Sequence, residues 1–558
     1  MLIRLPYLTS RDHIFKFNRR GYTTTIIWIS IYLFGIAFIC FLPPWEGYDE
    51  VAHYSYLQQM ADTGQPPSVE QGKLSAEVEA YRRVAPTPYS TTAPFDKNGG
   101  VTYREWFAND DLAKNLPHSK PSHPRQYSPG ETSNWQGQHP EFYYRLLAPI
   151  TWLTSDLSWS SQLFLLRWVS WTLAFLGLMI SISATARMVK LKFPEMSKDY
   201  SKLSMSWPLI FPGLIPEFAR LGNDSLVVLI LSLVWFLLIK RIESSQRWYW
   251  YVALGVILGL GGLTKITFLP ITIAVVIWLT WLEARGNLVD RFYASARSLL
   301  VLGLFFCFSA KRYFSNLTEH GSVTGLVELS STDVPTGLFW VGAFHYPIEI
   351  IKGVLGIGMT FIWGSTASSA YPPVIFVLPL VFLLFGILGA SLHLLKHKNN
   401  ESAVLALLII GAVGSGLIYY LLIRIAVTGV GAGAPGWYFH TLIAPLSLML
   451  AAGWNLIRTK IAFASLLWRF WLGYMALFCI SVTWLQLTLF AGCSFKTSES
   501  RIYSLNDLAC ILDVPFLHHR LEALTFPTLG WTTIGLAVVL IYTAYSRNRG
   551  IDLQAGIR

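Results

Sequence analysis

The sequence predicts an all-α integral membrane protein of about twelve transmembrane helices, with a large first outer loop that carries interfacial helices. Three observations predict it. The chain has 558 residues, 53% of them hydrophobic and only 13% charged. Apolar stretches near membrane-spanning length recur along it. Its basic residues gather in short connections on one side of those stretches, while its long polar segments fall on the other. Trp 22, Tyr 26 and Phe 34 add the aromatic excess expected where helix ends meet headgroups. The net charge of +11 does not point to nucleic acid, because the cations sit where topology determinants belong.

The elements follow in order. Residues 1–21 carry Arg11, Lys16, Arg19 and Arg20, which predicts a cytoplasmic N-terminus. Residues 22–42 form the first span; they are too long for a cleavable signal and lack a small-residue cleavage site. Residues 43–160 form the first outer loop, with 14 acidic against 9 basic residues. Residues 161–310 hold spans two to seven, 311–370 an outer loop with interfacial segments, and 371–492 spans eight to eleven. An outer loop over 493–527, a last span over 528–546 and a cytoplasmic tail over 547–558 complete the chain. The third span, near residue 210, is the weakest, since Pro208, Pro212 and Pro216 interrupt it.

The inner connections are short and basic: Lys190 to Lys202, Lys240 to Arg247, Arg285 to Arg297, Lys396 and Lys398, Arg458 and Lys460. No inner segment is long enough to fold as a nucleotide-binding domain, and no phosphate-binding glycine motif follows a strand. No internal repeat is evident, which weighs against a transporter built on inverted repeats. Cys493 and Cys510 share the last outer loop and can pair on an oxidising face.

Within the first loop, PPWEGYDEVAHYSY (43–56) places Asp49, Glu50 and His53 just beyond the first span. Residues 49–61 read as a short helix on the membrane, capped by Asp49, with Val51, Tyr54 and Leu57 at helical spacing. Asp49, Glu50 and His53 can then face one space. Residues 66–137 turn polar and read as an irregular lid. Residues 139–155 read as a second interfacial helix with Tyr143, Tyr144 and Trp152 as anchors.

An ionisable cluster pinned at a membrane surface is a site by default. A carboxylate there can take the proton from an attacking hydroxyl or amine, and one base serves a single displacement. Asp49 and Glu50 are the candidates; the plainer reading makes Asp49 a helix cap and Glu50 its solvated neighbour. His53 and His139 can orient that carboxylate or, with Asp49 and Glu50, complete an oxygen-rich divalent site. A leaving phosphate needs positive charge nearby. Lys265 interrupts an apolar stretch where an unneeded charge is costly, and Arg220 and Arg145 are further candidates. Asp224 opens a span, where it caps the helix or anchors a hydroxyl. Tyr438, in APGWYFH (434–440), and Trp363 offer sugar-stacking faces or belong to the interfacial belt.

Taken in order, seven pieces carry a resemblance: PPWEGYDEVAHYSYLQQMADTGQPP (43–67), QHPEFYYRLLAP (138–149), LRWVSWTLAFL (166–176), PEFARLGNDSLVVL (216–229), GVILGLGGLTKITFLP (255–270), FIWGS (361–365) and GWYFHTLIAPL (436–446). With them the chain resembles a bacterial family of polytopic membrane proteins grouped with the GT-C superfamily, glycosyltransferases that use polyprenyl-phosphate-linked sugars. The resemblance implies a GT-C-like bundle and a catalytic carboxylate in the first outer loop, Asp49 or Glu50. It also implies a lipid-linked sugar donor, a cell-surface glycan or glycolipid acceptor, and a bacterial inner membrane. Tyr48 and Val51 stand where the family usually has proline, and Trp437 where it usually has arginine, so Lys265 or Arg220 is left to supply that phosphate contact. The expected function is an inverting transfer on the outer face. The rivals are an envelope polysaccharide polymerase or ligase, which favours arginine-rich late loops, and a non-enzymatic lipid-linked glycan flippase, which predicts charges deep within several spans.

Overall fold

The structure, a computed structural model, describes residues 11–68, 71–86, 101–109, 119–123, 125–244, 247–283, 288–320, 323–325, 343–363, 374–396, 400–431, 434–461, 463–496, 503–504 and 507–555. Among these, eight helices are long and apolar enough to cross a membrane: Thr23–Phe41, Trp159–Lys192, Asp224–Glu243, Arg291–Thr318, Val374–Leu392, Glu401–Thr428, Gly436–Arg458 and Ala464–Phe490. Three more apolar helices are shorter, Trp248–Gly262, Phe268–Glu283 and Pro527–Thr543. The chain is therefore an integral, multi-pass membrane protein; against the twelve spans the sequence predicts, the described residues hold these eight long and three shorter apolar helices. The span expected near residue 210 is two pieces, Ser197–Ile210 and Leu214–Phe218. Phe211 between them is extended, as a residue before proline prefers, and the first piece carries Lys198, Asp199 and Lys202.

Two packings set the frame. The helix Trp159–Lys192 runs parallel to Asp224–Glu243, and at Gly177 an added Cβ would lie 2.8 Å from the Leu229 Cα, so only glycine allows this approach. The first and last helices run antiparallel: Ser30 Oγ donates to the Ala537 carbonyl at 3.4 Å, and Phe526 N donates to the Cys40 carbonyl at 2.9 Å. Helix polarity then puts Phe41, Trp159, Asp224 and Gly262 at one end of the bundle. Lys192, Lys240 and Arg458 lie at the other.

The first loop is more ordered than its polar composition predicts. Strands Lys73–Ser75 and Pro129–Ser133 pair antiparallel, followed and preceded by short helices such as Ala76–Val84 and Tyr103–Phe107. Leu74, Val78 and Trp106 are fully buried beneath them. The helix Glu50–Thr63 is buried along most of its length from Glu50 to Met60 rather than lying on the membrane. A helix covered on all sides gives no amphipathic stripe, and this one has little. The second helix, Phe142–Thr154, corrects another expectation: Tyr143 and Tyr144 are fully buried, and only Trp152 is exposed as an anchor would be. Cys493 and Cys510 are joined, with Cα atoms 5.5 Å apart. Gly364 and Ser365 of the FIWGS stretch lie outside the described residues.

Glu46, in the turn after the first span, is 3% exposed and sits 3.7 Å from Arg82. Burial pushes its carboxyl up to about 7, against the pull of Arg82 and a hydrogen bond with Tyr103. An acid whose folded value exceeds its ordinary 4.5 stabilises the fold fully below that value and loses the contribution as pH rises through about 7. Glu46→Gln should thus flatten the fall in stability between about pH 4.5 and 7 by roughly 3 kcal/mol. Thermal unfolding of both proteins in detergent across that range checks this; parallel curves would count against it.

Candidate active site

The site is built where the first-loop helix meets the bundle ends. Its two leading carboxylates part company at once. Glu50 is fully buried and its acceptor positions are filled. Arg167 donates through Nε to Oε1 at 2.8 Å and through Nη2 to Oε2 at 2.6 Å. Leu221 N and Gly47 N add bonds of 2.9 and 3.1 Å. Arg167 spends its remaining donors on the Leu42 and Pro43 carbonyls, at 2.5 and 2.8 Å. Gly47 cannot be larger, since a Cβ would lie 2.3 Å from the Glu50 carboxyl carbon. Glu50 therefore fastens the loop to the second long helix and faces no open space.

Asp49 points the other way and is half-buried. Its backbone is left-handed, φ 60°, a conformation that asparagine and aspartate tolerate best after glycine. It makes no side-chain cap, contrary to the sequence expectation. Instead Trp135 Nε1 donates to Oδ1 at 2.9 Å and Gln136 Nε2 to Oδ2 at 3.1 Å. The short 3-10 turn Trp135–Gln138 that supplies them is capped by Asn134, whose Oδ1 accepts from Gln136 N at 3.0 Å. Asn134 Nδ2 in turn donates to the Ala52 carbonyl at 3.1 Å, tying the turn to the first-loop helix. Burial raises the Asp49 carboxyl above its ordinary range, opposed by Arg220, the Trp135 indole and Lys265.

The cations lie beside it and are themselves paired. Arg220, 3% exposed, contacts Glu217 at 2.6 Å and Asp224 at 3.6 Å, and donates from Nη1 to the Tyr48 carbonyl at 2.8 Å. Lys265 donates to Asp224 Oδ1 at 2.6 Å and rests 3.9 Å above the Tyr438 ring. Lys265 occupies the turn between Trp248–Gly262 and Phe268–Glu283; Leu263 of that turn accepts from Phe142 N at 3.1 Å. His53 is buried, its Nδ1 2.8 Å from the Tyr144 hydroxyl. Burial, then Arg220, hold its imidazole well below the usual value. His139 is pushed down to about 3 by burial and Lys265. Both are neutral at pH 7.

Of the residues the sequence singles out, Asp49, His53, His139, Arg220, Asp224, Lys265 and Tyr438 thus gather in one neighbourhood. Glu50 backs it structurally. Arg145 does not join: it is exposed and pairs with Glu141 at 3.7 Å. The divalent set imagined from Asp49, Glu50, His53 and His139 does not converge, and no three such side chains are placed to hold a metal among the described residues. Sequence reasoning missed Trp135, Gln136, Glu217 and Arg167. Arg167 carried a signal, an arginine inside the apolar run LFLLRWVSWTLAFL. Trp135 and Gln136 carried none, because a polar loop does not reveal which side chain it turns inward.

Six side chains that lie at or within two residues of these in sequence, or are bonded to their turn, hold buried polar atoms with no hydrogen-bond partner. They are Gln136 Oε1, Gln138 Oε1, both amide atoms of Asn223, Thr267 Oγ1, Arg312 Nε and Trp437 Nε1. Arg312 belongs here through Nη2, which donates to the Gly137 carbonyl at 2.8 Å. Such atoms are costly when left unmatched. The set mixes donors and acceptors, as a ligand with several hydroxyls requires.

No family model matches the chain, and no curated protein matches it. Among solved structures it is similar to ArnT from Cupriavidus metallidurans bound to undecaprenyl phosphate, at 10% identity and a TM-score of 0.39, covering 94% of this chain and 78% of that one. The apo form of that ArnT gives 11% identity and 0.31, covering 78% of each chain. The Archaeoglobus fulgidus oligosaccharyltransferase, tethered to an acceptor peptide, gives 12% and 0.29, covering 87% and 55%. At such scores the likeness bears no weight.

Breaking the Glu50–Arg167 pair leaves a buried charge unmatched, at a cost of about 3–5 kcal/mol. Arg167→Leu should lower the thermal midpoint and the folded yield in detergent. Asp49→Asn keeps the left-handed backbone and should cost under about 1 kcal/mol. Size-exclusion profiles after heating separate the two; equal losses would overturn the division of roles.

Proposed function

We propose that the protein is a membrane glycosyltransferase of GT-C type that moves a sugar from a polyprenyl-phosphate carrier to a glycan or glycolipid acceptor on the outer face. The observation that carries the proposal is the placement of Asp49. It is a half-buried carboxylate held by two side-chain donors at the bundle end, with Arg220 and Lys265 as its charged neighbours. The basic connections at the opposite end support an outward-facing site. A lipid-borne donor suits a site at the lip of the bilayer, reached from the membrane.

Asp49 is the base. Its raised pKa brings it closer to the pH at which it works, which favours proton transfer. The acceptor oxygen attacks the anomeric carbon, its proton passes to Asp49, and the bond from that carbon to the phosphate oxygen breaks. The electron pair leaves with the polyprenyl phosphate, and the anomeric centre inverts. Lys265 spends one donor on Asp224 and keeps others for the leaving phosphate, whose charge is strongest felt in this water-poor setting. Arg220 has less to offer, since Glu217 and the Tyr48 carbonyl occupy its donors. Neutral His53 and His139 shape the acceptor side. The unmatched amide and hydroxyl atoms match sugar hydroxyls.

Purified protein with labelled polyprenyl-phosphate sugars and candidate acceptors tests this. Asp49→Asn should slow transfer at least about 100-fold while donor binding persists. Transfer at the wild-type rate in that variant would remove the assignment. Lys265→Met should weaken donor binding and transfer together, and an unchanged donor affinity would place the phosphate elsewhere.

A further inference from the structure

At the end of the bundle remote from Asp49, the parallel helices Trp159–Lys192 and Asp224–Glu243 enclose a groove of about 420 Å3. That lies within the roughly 300–1,000 Å3 of ordinary ligand clefts. The helices meet backbone to backbone at Gly177, and Trp235 Nε1 donates to Thr185 Oγ1 at 2.7 Å farther along. Beside this seam the groove is walled by Met179, Ile180, Ser183, Ala184, Phe236 and Ile239. Both helices are long and apolar enough to cross a membrane, and these walls lie on them.

The mouth of the groove is charged. Arg187 Nε lies 3.6 Å from Glu243 Oε1, and Lys240 Nζ lies 3.0 Å from Glu243 Oε2. Two cations thus share one carboxylate. Lys192 adds a third just beyond, its Nζ donating to the Ile242 carbonyl at 2.9 Å. The Arg187 side chain is 65% exposed, free to turn toward a headgroup. Apolar walls below a rim where Arg187, Lys240 and Lys192 gather around Glu243 are complementary to an acyl chain topped by an anion.

We propose that this groove is a binding site for an anionic glycerophospholipid, with one acyl chain between the two helices and the phosphate on Arg187 and Lys240. A zwitterionic lipid brings its own ammonium and gains less from the rim. The site stands apart from the transfer chemistry, so either can fail alone.

Native mass spectrometry of the full chain, exchanged into mixed phosphatidylglycerol and phosphatidylcholine, tests it. One phosphatidylglycerol should be retained in preference. Arg187→Gln and Lys240→Gln should each lower that retention about fivefold, the effect of one basic residue near an anionic lipid. Ala184→Trp, which fills the groove, should displace the lipid while the protein stays folded by its elution profile. Equal retention of the two lipids, no change in the rim variants, or a groove covered by a second copy in a dimer would overturn the proposal.

Discussion

The bond between Glu50 and Arg167 is the constraint on which the outward end of the molecule depends. It joins the first residue of the first-loop helix to the outward, N-terminal third of the second long helix, and the same guanidinium grips the chain at Leu42 and Pro43. Four anchored points within a few residues fix the turn 42–50 as a unit. Asp49 inherits its position from that unit. Its left-handed backbone turns its carboxylate away from Glu50 and toward Trp135. Two adjacent acids thereby acquire opposite fates, one saturated and one available.

The same neighbourhood holds four more titratable groups, which a bilayer edge tolerates only when they are paired. Glu217 with Arg220, and Asp224 with Lys265, form close pairs that neutralise one another. Asp49 is the carboxylate left over. Its hydrogen bonds come from neutral donors, an indole and an amide, which steady the anion without cancelling its charge. Gly222 permits this crowding, for a Cβ there would lie 2.4 Å from Arg220 Nη1. The arrangement keeps a single basic oxygen pair beside a charge-balanced wall.

Much of this was legible in the sequence. The membrane class followed from apolar stretches, and Asp49, Lys265, Arg220 and Asp224 announced themselves as charges where charges are costly. What stayed hidden had physical reasons. Three prolines marked the segment near residue 210 as weak, but not that Pro208 and Pro216 stay within helical pieces while the chain opens at Phe211, before Pro212. Tyr143 and Tyr144 looked like headgroup anchors because composition cannot tell which face of a short helix another element will cover. Glu50 stayed a second candidate to Asp49 because its partner, Arg167, lies more than a hundred residues away. Trp135 and Gln136 sit in a loop without periodicity, where only the folded chain reveals their aim.

The ring of Tyr103 in the first loop packs at 5.5 Å on Phe490, and the backbone of Arg104 lies 3.1 Å from where a Cβ on Gly492 would be, beside the joined Cys493. Several hundred residues separate these partners. During synthesis at roughly 5–20 residues per second the early segment must wait on the order of tens of seconds for the late one. The newborn chain thus spends that interval with its first extramembrane layer unroofed, until the last outer loop arrives.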